Sequence, residues 1–167
     1  FLAENENEAN RWRQQYLDGL IRTDILDFEK IHDLRAILGV FERLRNQVGS
    51  PVSYKAISED VQISPVTVKK YIQILEALFI VFIVRPFSKN MARSILKEPK
   101  IYFFDNGLVK GDEGAKFENQ MALELLRRQH ALADYKGVEA GLFYLRTKDK
   151  KEVDFVLVEN EKIETII

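Results

Sequence analysis

Residues 53–79, SYKAISEDVQISPVTVKKYIQILEALF, decide the fold. Ser53 is suited to cap a short helix over residues 54–60, and Ser64-Pro65 provides an N-cap and a proline at the first position of the next helix. That second helix carries an apolar face made of Val68, Tyr71, Ile72, Leu75 and Phe79. Two helices joined by about three residues, the second beginning with Ser-Pro, are typical of a helix-turn-helix.

Two more helices are predicted before this pair. Residues 34–48 carry an apolar stripe at helical spacing, and Gly49-Ser50-Pro51 ends it with a C-cap glycine and a helix-breaking proline. Residues 10 to about 30 also read as helical, with apolar side chains near the 3.6-residue period at Trp12, Tyr16, Leu20 and Ile21.

After the helix-turn-helix the pattern changes to strands. Residues 81–85 and 100–104 are rich in β-branched and aromatic side chains. The basic segment between them has the composition of a wing. We therefore predict a winged helix-turn-helix over residues 31–105, preceded by a helical linker over residues 1–30.

The remainder predicts an α/β domain over residues 106–167. It contains a turn at Asp105-Asn106-Gly107, a helix over 117–129, and strands over 142–146, 153–158 and from Ile163. The predicted fold class is therefore α+β.

Composition limits the function. The net charge of −1 argues against a protein that coats nucleic acid through bulk electrostatics. The absence of cysteine excludes thiolate zinc, thiol catalysis and disulfides, and fits a reducing compartment. No apolar run approaches the roughly 20 residues of a membrane span, and no signal peptide is visible, so we expect a cytoplasmic protein that does not enter a membrane.

Both ends suggest a fragment of a longer protein. The chain lacks an initiator methionine, and it closes in an apolar, strand-like run with Ile163, Ile166 and Ile167. Natural termini are usually polar and frayed.

The second helix of the helix-turn-helix offers candidate DNA contacts. Its outward positions have side chains of the types that contact phosphates and base edges: Thr67, Lys69, Lys70 and Gln73. Glu59, Asp60 and Glu76 reduce the positive field nearby, so the alternative is that this helix packs against another domain.

The wing-like segment is the most basic part of the chain. It carries Lys89, Arg93, Lys97 and Lys100 against one acid, Glu98. If exposed, these residues would contact phosphates. The alternative is a solvated charged loop.

Two acids are candidates for catalysis or metal binding. Glu118 lies near a helix start and Asp154 lies in a strand, and Mg²⁺ held by such a pair can activate water. Asp154 stands among apolar neighbours, where an acid is costly unless it is paired or liganded. The alternative to a metal is an ion pair with Arg146 or a lysine.

Other catalytic signals are absent from the sequence. It has no phosphate-binding G-x-x-x-x-G-K-[ST] loop, no G-x-S-x-G and no H-E-x-x-H. His32 and His130 are isolated, which is typical of surface or capping histidines rather than ligands.

The ordered motifs resemble the C-terminal region of the prokaryotic predicted P-loop ATPases of the AAA superfamily, whose tail is a domain of unknown function. The resemblance covers nearly the whole chain. It is carried by Trp12, Tyr16, Arg22, Asp24-Ile25, Ser64–Val68, Tyr71, Leu75-Glu76, Pro99–Leu108 (P-K-x-Y-x-x-D-x-G-L), Gly114, Glu118-Asn119, Glu124-Leu125, Tyr144–Arg146 and Glu152–Val156.

The resemblance implies an upstream ATP-binding domain of the same polypeptide, which would hold ATP, and an incomplete PD-(D/E)xK nuclease-like fold over residues 106–167. Glu118 and Asp154 match its first two acidic positions and would bind Mg²⁺ in the full-length protein. Its third element, I-E-x-K, does not fit at Ile163, because Ile166 stands where lysine is needed. We expect that element just past Ile167.

Three hypotheses follow. The chain is a DNA-associated accessory region of an AAA-type ATPase and is not catalytic by itself; or it belongs to a metal-dependent nuclease that is active only at full length; or it is a non-catalytic regulatory or interaction module. Fold alone does not decide among them.

Overall fold

The computed structural model describes residues 5–19, 34–88, 97–147 and 151–167. Within them the chain forms five α-helices, a short 3₁₀ helix and one five-stranded sheet, which confirms the mixed α+β class. In chain order the elements are α1 (Glu6–Gly19), α2 (Leu34–Arg45), α3 (Tyr54–Val61), α4 (Pro65–Ala77), β1 (Val81–Pro86), β2 (Lys100–Phe103), the 3₁₀ helix (Asn106–Leu108), α5 (Glu113–Lys136), β3 (Ala140–Arg146), β4 (Glu152–Glu159) and β5 (Lys162–Ile166).

Some predictions lie outside the described residues. These are the second half of the first predicted helix, over residues 20–30, and the wing residues Lys89 and Arg93. None of the described helices is long and apolar enough to cross a membrane.

The predicted helix starts at Ser53 and Ser64 are confirmed. The Ser53 hydroxyl accepts a hydrogen bond from the backbone N–H of Ala56, and the Ser64 hydroxyl accepts one from that of Thr67. Pro65 occupies the first turn of α4, where its missing N–H is harmless. Between the helices Gln62 takes a left-handed conformation, which gives the short connection its sharp turn.

Helices α2, α3 and α4 form a helical unit with its own apolar core. Side chains from all three meet in it, including Ile37, Val40, Phe41, Leu44, Ile57, Val68, Ile72 and Leu75. This core continues into the hairpin of β1 and β2 through Val81, Ile101 and Phe103. The intervening positions, Phe82, Val84 and Tyr102, face a second core beneath α5. The hairpin is therefore buried on both faces, because successive strand residues point to opposite sides.

All five strands belong to one sheet in the order β2-β1-β3-β4-β5. β1 pairs antiparallel with β2 and parallel with β3, and β3, β4 and β5 continue antiparallel. The strands of the predicted wing thus share a sheet with those of the predicted nuclease-like domain. The sheet contains strands from both sides of the boundary that we predicted after residue 105.

Helix α5 is longer than the predicted 117–129. Asp112 caps its start by accepting from the backbone N–H of Ala115, and Gly137 ends it in the left-handed conformation. One face of α5 is buried through Asn119, Ala122, Leu125 and Gln129, so the helix covers the sheet. It brings Glu118 beside Lys100 and Tyr102 of β2.

Candidate functional site

A buried lysine lies at the centre of the candidate site. The Lys100 side chain, at the start of β2, is 0% exposed. Its ammonium nitrogen lies 2.7 Å from a Glu152 oxygen, 2.8 Å from an Asp154 oxygen and 3.5 Å from a Glu118 oxygen. We call these four residues together with Tyr102 the Lys100 cluster.

Tyr102 lies two residues along β2 and so shares a face with Lys100. Its hydroxyl donates to Glu118 Oε1 at 2.7 Å, the same oxygen that approaches the lysine. The ring of Tyr144 on β3 lies 5.5 Å from the ammonium, within range of a cation–π contact.

An irregularity in β4 aims Asp154 into the cluster. Phe143 of β3 pairs with Val156 of β4, and Leu145 pairs with Val153. Over this stretch β3 advances by two residues and β4 by three, so β4 contains one extra residue. Such a bulge lets consecutive side chains face the same side of a strand. Phe155 accordingly packs beside Tyr102, with ring centroids 5.9 Å apart, while Asp154 reaches Lys100.

The loop between α2 and α3 closes the cluster from the side of the helical unit. Gly49 has a positive φ of 79°, and a Cβ on it would overlap the carboxylate of Glu118. Pro51 forms an isolated bridge with Lys100, and the backbone N–H of Val52 donates to the Pro99 carbonyl. The cluster thus connects the helical unit, α5 and the sheet.

The electrostatics favour a charged lysine and a neutral tyrosine. Burial by itself would lower the pKa of Lys100, but hydrogen bonds to Asp154 and Glu152 and the charge of Glu118 outweigh it and raise that pKa above its ordinary value. Burial, followed by the charge of Glu118 and the hydrogen bond to it, raises the pKa of Tyr102 far above its usual range. Tyr102 therefore stays a donor to Glu118.

The acids fit an ion-pair cluster better than a metal centre. The point on which they converge holds an ammonium group, and among the residues described no three His, Cys, Asp or Glu side chains are grouped to hold a metal ion. Three carboxylates face one lysine, and Arg146 adds positive charge at 3.7 Å from Glu152. In this arrangement the three acids are partners of the Lys100 ammonium group.

The structure brings together the two acids singled out from the sequence, Glu118 and Asp154. The ion pair of Asp154 with a lysine, one of the alternatives, is confirmed, and that lysine is Lys100 rather than a surface residue. We predicted phosphate contacts by Lys100 only if the wing-like segment is exposed, and for Lys100 this condition is not met, because its side chain is fully buried. Sequence reasoning missed Glu152 and Tyr102, although alternation along β2 already placed Tyr102 beside Lys100.

The predicted DNA-contacting residues that the structure describes lie on α4 and just before β2. Lys69, Lys70 and Gln73 are exposed on α4, and Lys97 is exposed just before β2. The hydroxyl of Thr67 lies 2.8 Å from that of Ser64, within the helix cap.

The turn after β2 forms a second polar junction. One Asp105 oxygen accepts from the backbone N–H of Gly107, and the other accepts from Arg13 Nε of α1 at 2.9 Å. The arginine lies so close over Gly107 that a Cβ there would overlap its guanidinium group. The buried Asn119 of α5 accepts from the backbone N–H of Phe103 and donates to its carbonyl. Asp105 therefore fastens α1, and Asn119 fastens α5, to the end of β2.

Fold and site together define an α+β protein whose helical unit and sheet are joined through a buried lysine–carboxylate cluster. Residues 1–114 match the family described as domain of unknown function DUF8612, and the chain belongs to that family. Residues 113–166 match a second domain of unknown function, DUF4143. The two matches meet at the start of α5.

Two curated relatives come from distant prokaryotes. An uncharacterized protein of Haemophilus influenzae is 27% identical over 158 residues, covering 87% of this chain. One of Methanocaldococcus jannaschii is 24% identical over 171 residues, covering 96% of this chain. The chain spans only 37% of the length of each relative. No solved structure matches the chain significantly.

Gly49→Ala tests the closure of the cluster. Both Gly49 and Gly137 have positive φ, but a Cβ at Gly137 would meet nothing within 4 Å. Gly137→Ala should therefore lower the free energy of unfolding by only the conformational strain, about 1 kcal/mol. Gly49→Ala should cost about 2–3 kcal/mol, because it also displaces the Glu118 carboxylate. Urea unfolding of the two variants measures the difference, and equal decreases would contradict the close packing of Gly49 on Glu118.

Lys100→Met should destabilise the protein by about 2–4 kcal/mol at neutral pH, because three carboxylates lose their common partner; the effect is moderated by the exposure of Asp154. Because the pKa of Lys100 is raised in the folded state, the contribution of Lys100 to the free energy of unfolding is complete at pH values below its ordinary pKa of 10.5. That contribution is lost as the pH rises through the higher pKa of the folded state. The stability difference from the wild type should therefore shrink above pH 10.5.

Lys97→Met is the matched control, since Lys97 is exposed three residues away. Its effect on urea unfolding should be small, because the side chain is exposed. An effect of Lys100→Met no larger than that of Lys97→Met would show that the cluster does not stabilise the fold.

Proposed function

We propose that this chain is an accessory region of a longer P-loop ATPase and is not catalytic by itself. The observation that carries the proposal is the ammonium of Lys100, which occupies the point on which Glu118 and Asp154 converge. The acids therefore act as structural partners of a buried cation. The motif resemblance and the greater length of the relatives support the ATPase context. ATP hydrolysis by the full-length protein tests it, and failure to bind or hydrolyse ATP would reject it.

In this role the Lys100 cluster holds the helical unit and the sheet in a fixed relation. It draws side chains from β2, α5 and β4, and the glycine loop of the helical unit packs on Glu118. We expect such rigidity in an accessory region that transmits a movement caused by nucleotide binding or hydrolysis. A change at one interface is passed to another only through elements that do not themselves deform.

The proposal includes association with duplex DNA through α4. Lys69, Lys70 and Gln73 lie exposed on this helix, the second helix of the predicted helix-turn-helix. Their chemistry suits phosphates and base edges. The basic contribution is modest, since Arg43 on α2 is paired with Asp60 and Lys55 lies 3.9 Å from Glu59. We therefore expect weak, salt-sensitive binding.

The double variant Lys69→Ala, Lys70→Ala should weaken binding of the full-length protein to duplex DNA. The slope of log affinity against log salt concentration should fall by about 2, because each lysine that no longer neutralises a phosphate reduces the slope by about 1. Gel-shift titrations at several salt concentrations measure both effects.

The control for this experiment is Lys136→Ala, Lys162→Ala, which removes the same charge from exposed positions on α5 and β5. It should leave the slope nearly unchanged. If no duplex is bound even at low salt, or if both double variants weaken binding equally, α4 is not the DNA-contacting helix.

A metal-dependent nuclease, active only at full length, is the alternative. One observation favours it: Phe155 and Ile167 exchange both backbone hydrogen bonds and are therefore directly paired. If β5 continued in the same register, its next residue would lie opposite Asp154, and the residue two positions later would lie opposite Glu152. An E-x-K run there would add an acid and a lysine next to the cluster, and Mg²⁺ would then need Lys100 to yield its place. DNA cleavage by the full-length protein that requires Mg²⁺ or Mn²⁺ and is abolished in Asp154→Ala would favour this alternative.

A further inference from the structure

Four aromatic side chains form an exposed surface where α1 meets the sheet. Trp12 is 44% exposed, Tyr16 52% and Phe79 74%, and Phe104 lies among them. The rings of Trp12 and Tyr16 are stacked 5.2 Å apart, and Phe79 meets Phe104 edge-on at 5.8 Å. We call these four residues the aromatic surface. Two grooves, of about 270 Å³ and 390 Å³, are lined in part by Trp12 and Phe104.

The backbone of Phe79 is unusual for an aromatic residue. The N–H of Ile80 donates to the Leu75 carbonyl, five residues back, which is the hydrogen bond of a Schellman helix end. Phe79 occupies the left-handed position of that motif, with a φ of 54°. Glycine normally stands there, because a side chain costs about 1 kcal/mol or more. Here the strained residue is also large, apolar and exposed.

The folded chain gains little from this arrangement, within the residues described. Phe79 contacts Phe104 at its edge while three quarters of its own surface stays in water. Clusters of exposed aromatic residues usually mark contact surfaces, and Trp and Tyr are enriched among the side chains that dominate binding energy. The combination of strain and exposure therefore points to a partner.

Helix α1 is held in place to complete this surface. Arg13 lies next to Trp12 in α1, pairs with Asp105 and packs over Gly107. This anchoring keeps the stacked pair Trp12 and Tyr16 beside Phe104. The surface is thus preorganised, which reduces the entropy lost on binding.

We propose that the aromatic surface docks the part of the full-length protein that precedes α1. The inference rests on the proposed function, which places an ATP-binding domain there. Helix α1 begins at Glu6, and the chain spans only 37% of its relatives. A domain joined directly to α1 would be present at an effective concentration of about millimolar, so a modest surface would suffice to bind it.

Site-specific photocrosslinking in the full-length protein tests the docking. A photoreactive phenylalanine analogue is placed at position 79, and in separate samples at Val66 and Tyr135, which are 78% and 95% exposed on α4 and α5. Crosslinks from position 79 should join peptides that precede α1, at a yield several-fold above that from the two control positions. Equal yields from all three, or crosslinks from position 79 only to a second copy, would overturn the proposal.

A second variant separates docking from folding. Phe79→Gly suits the left-handed backbone, so it should preserve the thermal unfolding temperature of the full-length protein or raise it slightly. It should also increase hydrogen exchange around Trp12 several-fold, because the docked segment no longer covers this surface. Unchanged exchange in a folded variant would count against docking.

ATP hydrolysis is measured on the same wild-type protein, so that a failure of the docking proposal can be distinguished from a failure of the proposed function. Hydrolysis without the crosslink overturns the docking and leaves the proposed function standing. The crosslink without hydrolysis supports docking to the preceding segment and overturns the proposed function.

Discussion

The structure depends on how the ammonium of Lys100 is accommodated once it is buried. Removing a charged group from water is costly unless it is paired and hydrogen-bonded. Glu152 and Asp154 approach it from β4 and Glu118 from α5, so the strands and the helix must be in register before the charge is compensated. An error in the pairing of β4 would leave the lysine without two of its partners. The ion pairs therefore specify the arrangement of the sheet more than they add to net stability.

The same constraint explains two local irregularities. The bulge in β4 is needed for Asp154 to face Lys100 while Phe155 still packs on Tyr102. The left-handed Gly49 is needed because the Glu118 carboxylate fills the space that a side chain would take. Each irregularity allows a contact in the cluster between residues that are distant in the sequence. These contacts fix the helical unit to the sheet.

Local chemistry made much of the fold predictable. Ser53 and Ser64-Pro65 predicted their helices because capping depends on three or four consecutive residues, and the β-branched runs around Val81 and Ile101 identified strands. The role of Lys100 was not predictable in this way. By position it belonged to a basic segment, and only its contacts with Glu118, Glu152 and Asp154, which lie far along the chain, show that its side chain is buried. Asp154 was singled out because an acid among apolar residues requires a partner, and Glu118 because it lies near a helix start, but the identity of their common partner was non-local.

The P-K-x-Y-x-x-D-x-G-L motif now has a physical reading. Lys100 and Tyr102 alternate with Ile101 and Phe103, so one strand supplies polar groups to the cluster on one face and apolar groups to the helical core on the other. Asp105 and Gly107 then turn the chain and receive Arg13 of α1. Every polar residue of the motif is thus committed to another element of the same chain. Such a motif identifies a family by its architecture, and its charged residues need not perform any reaction for their positions to be required.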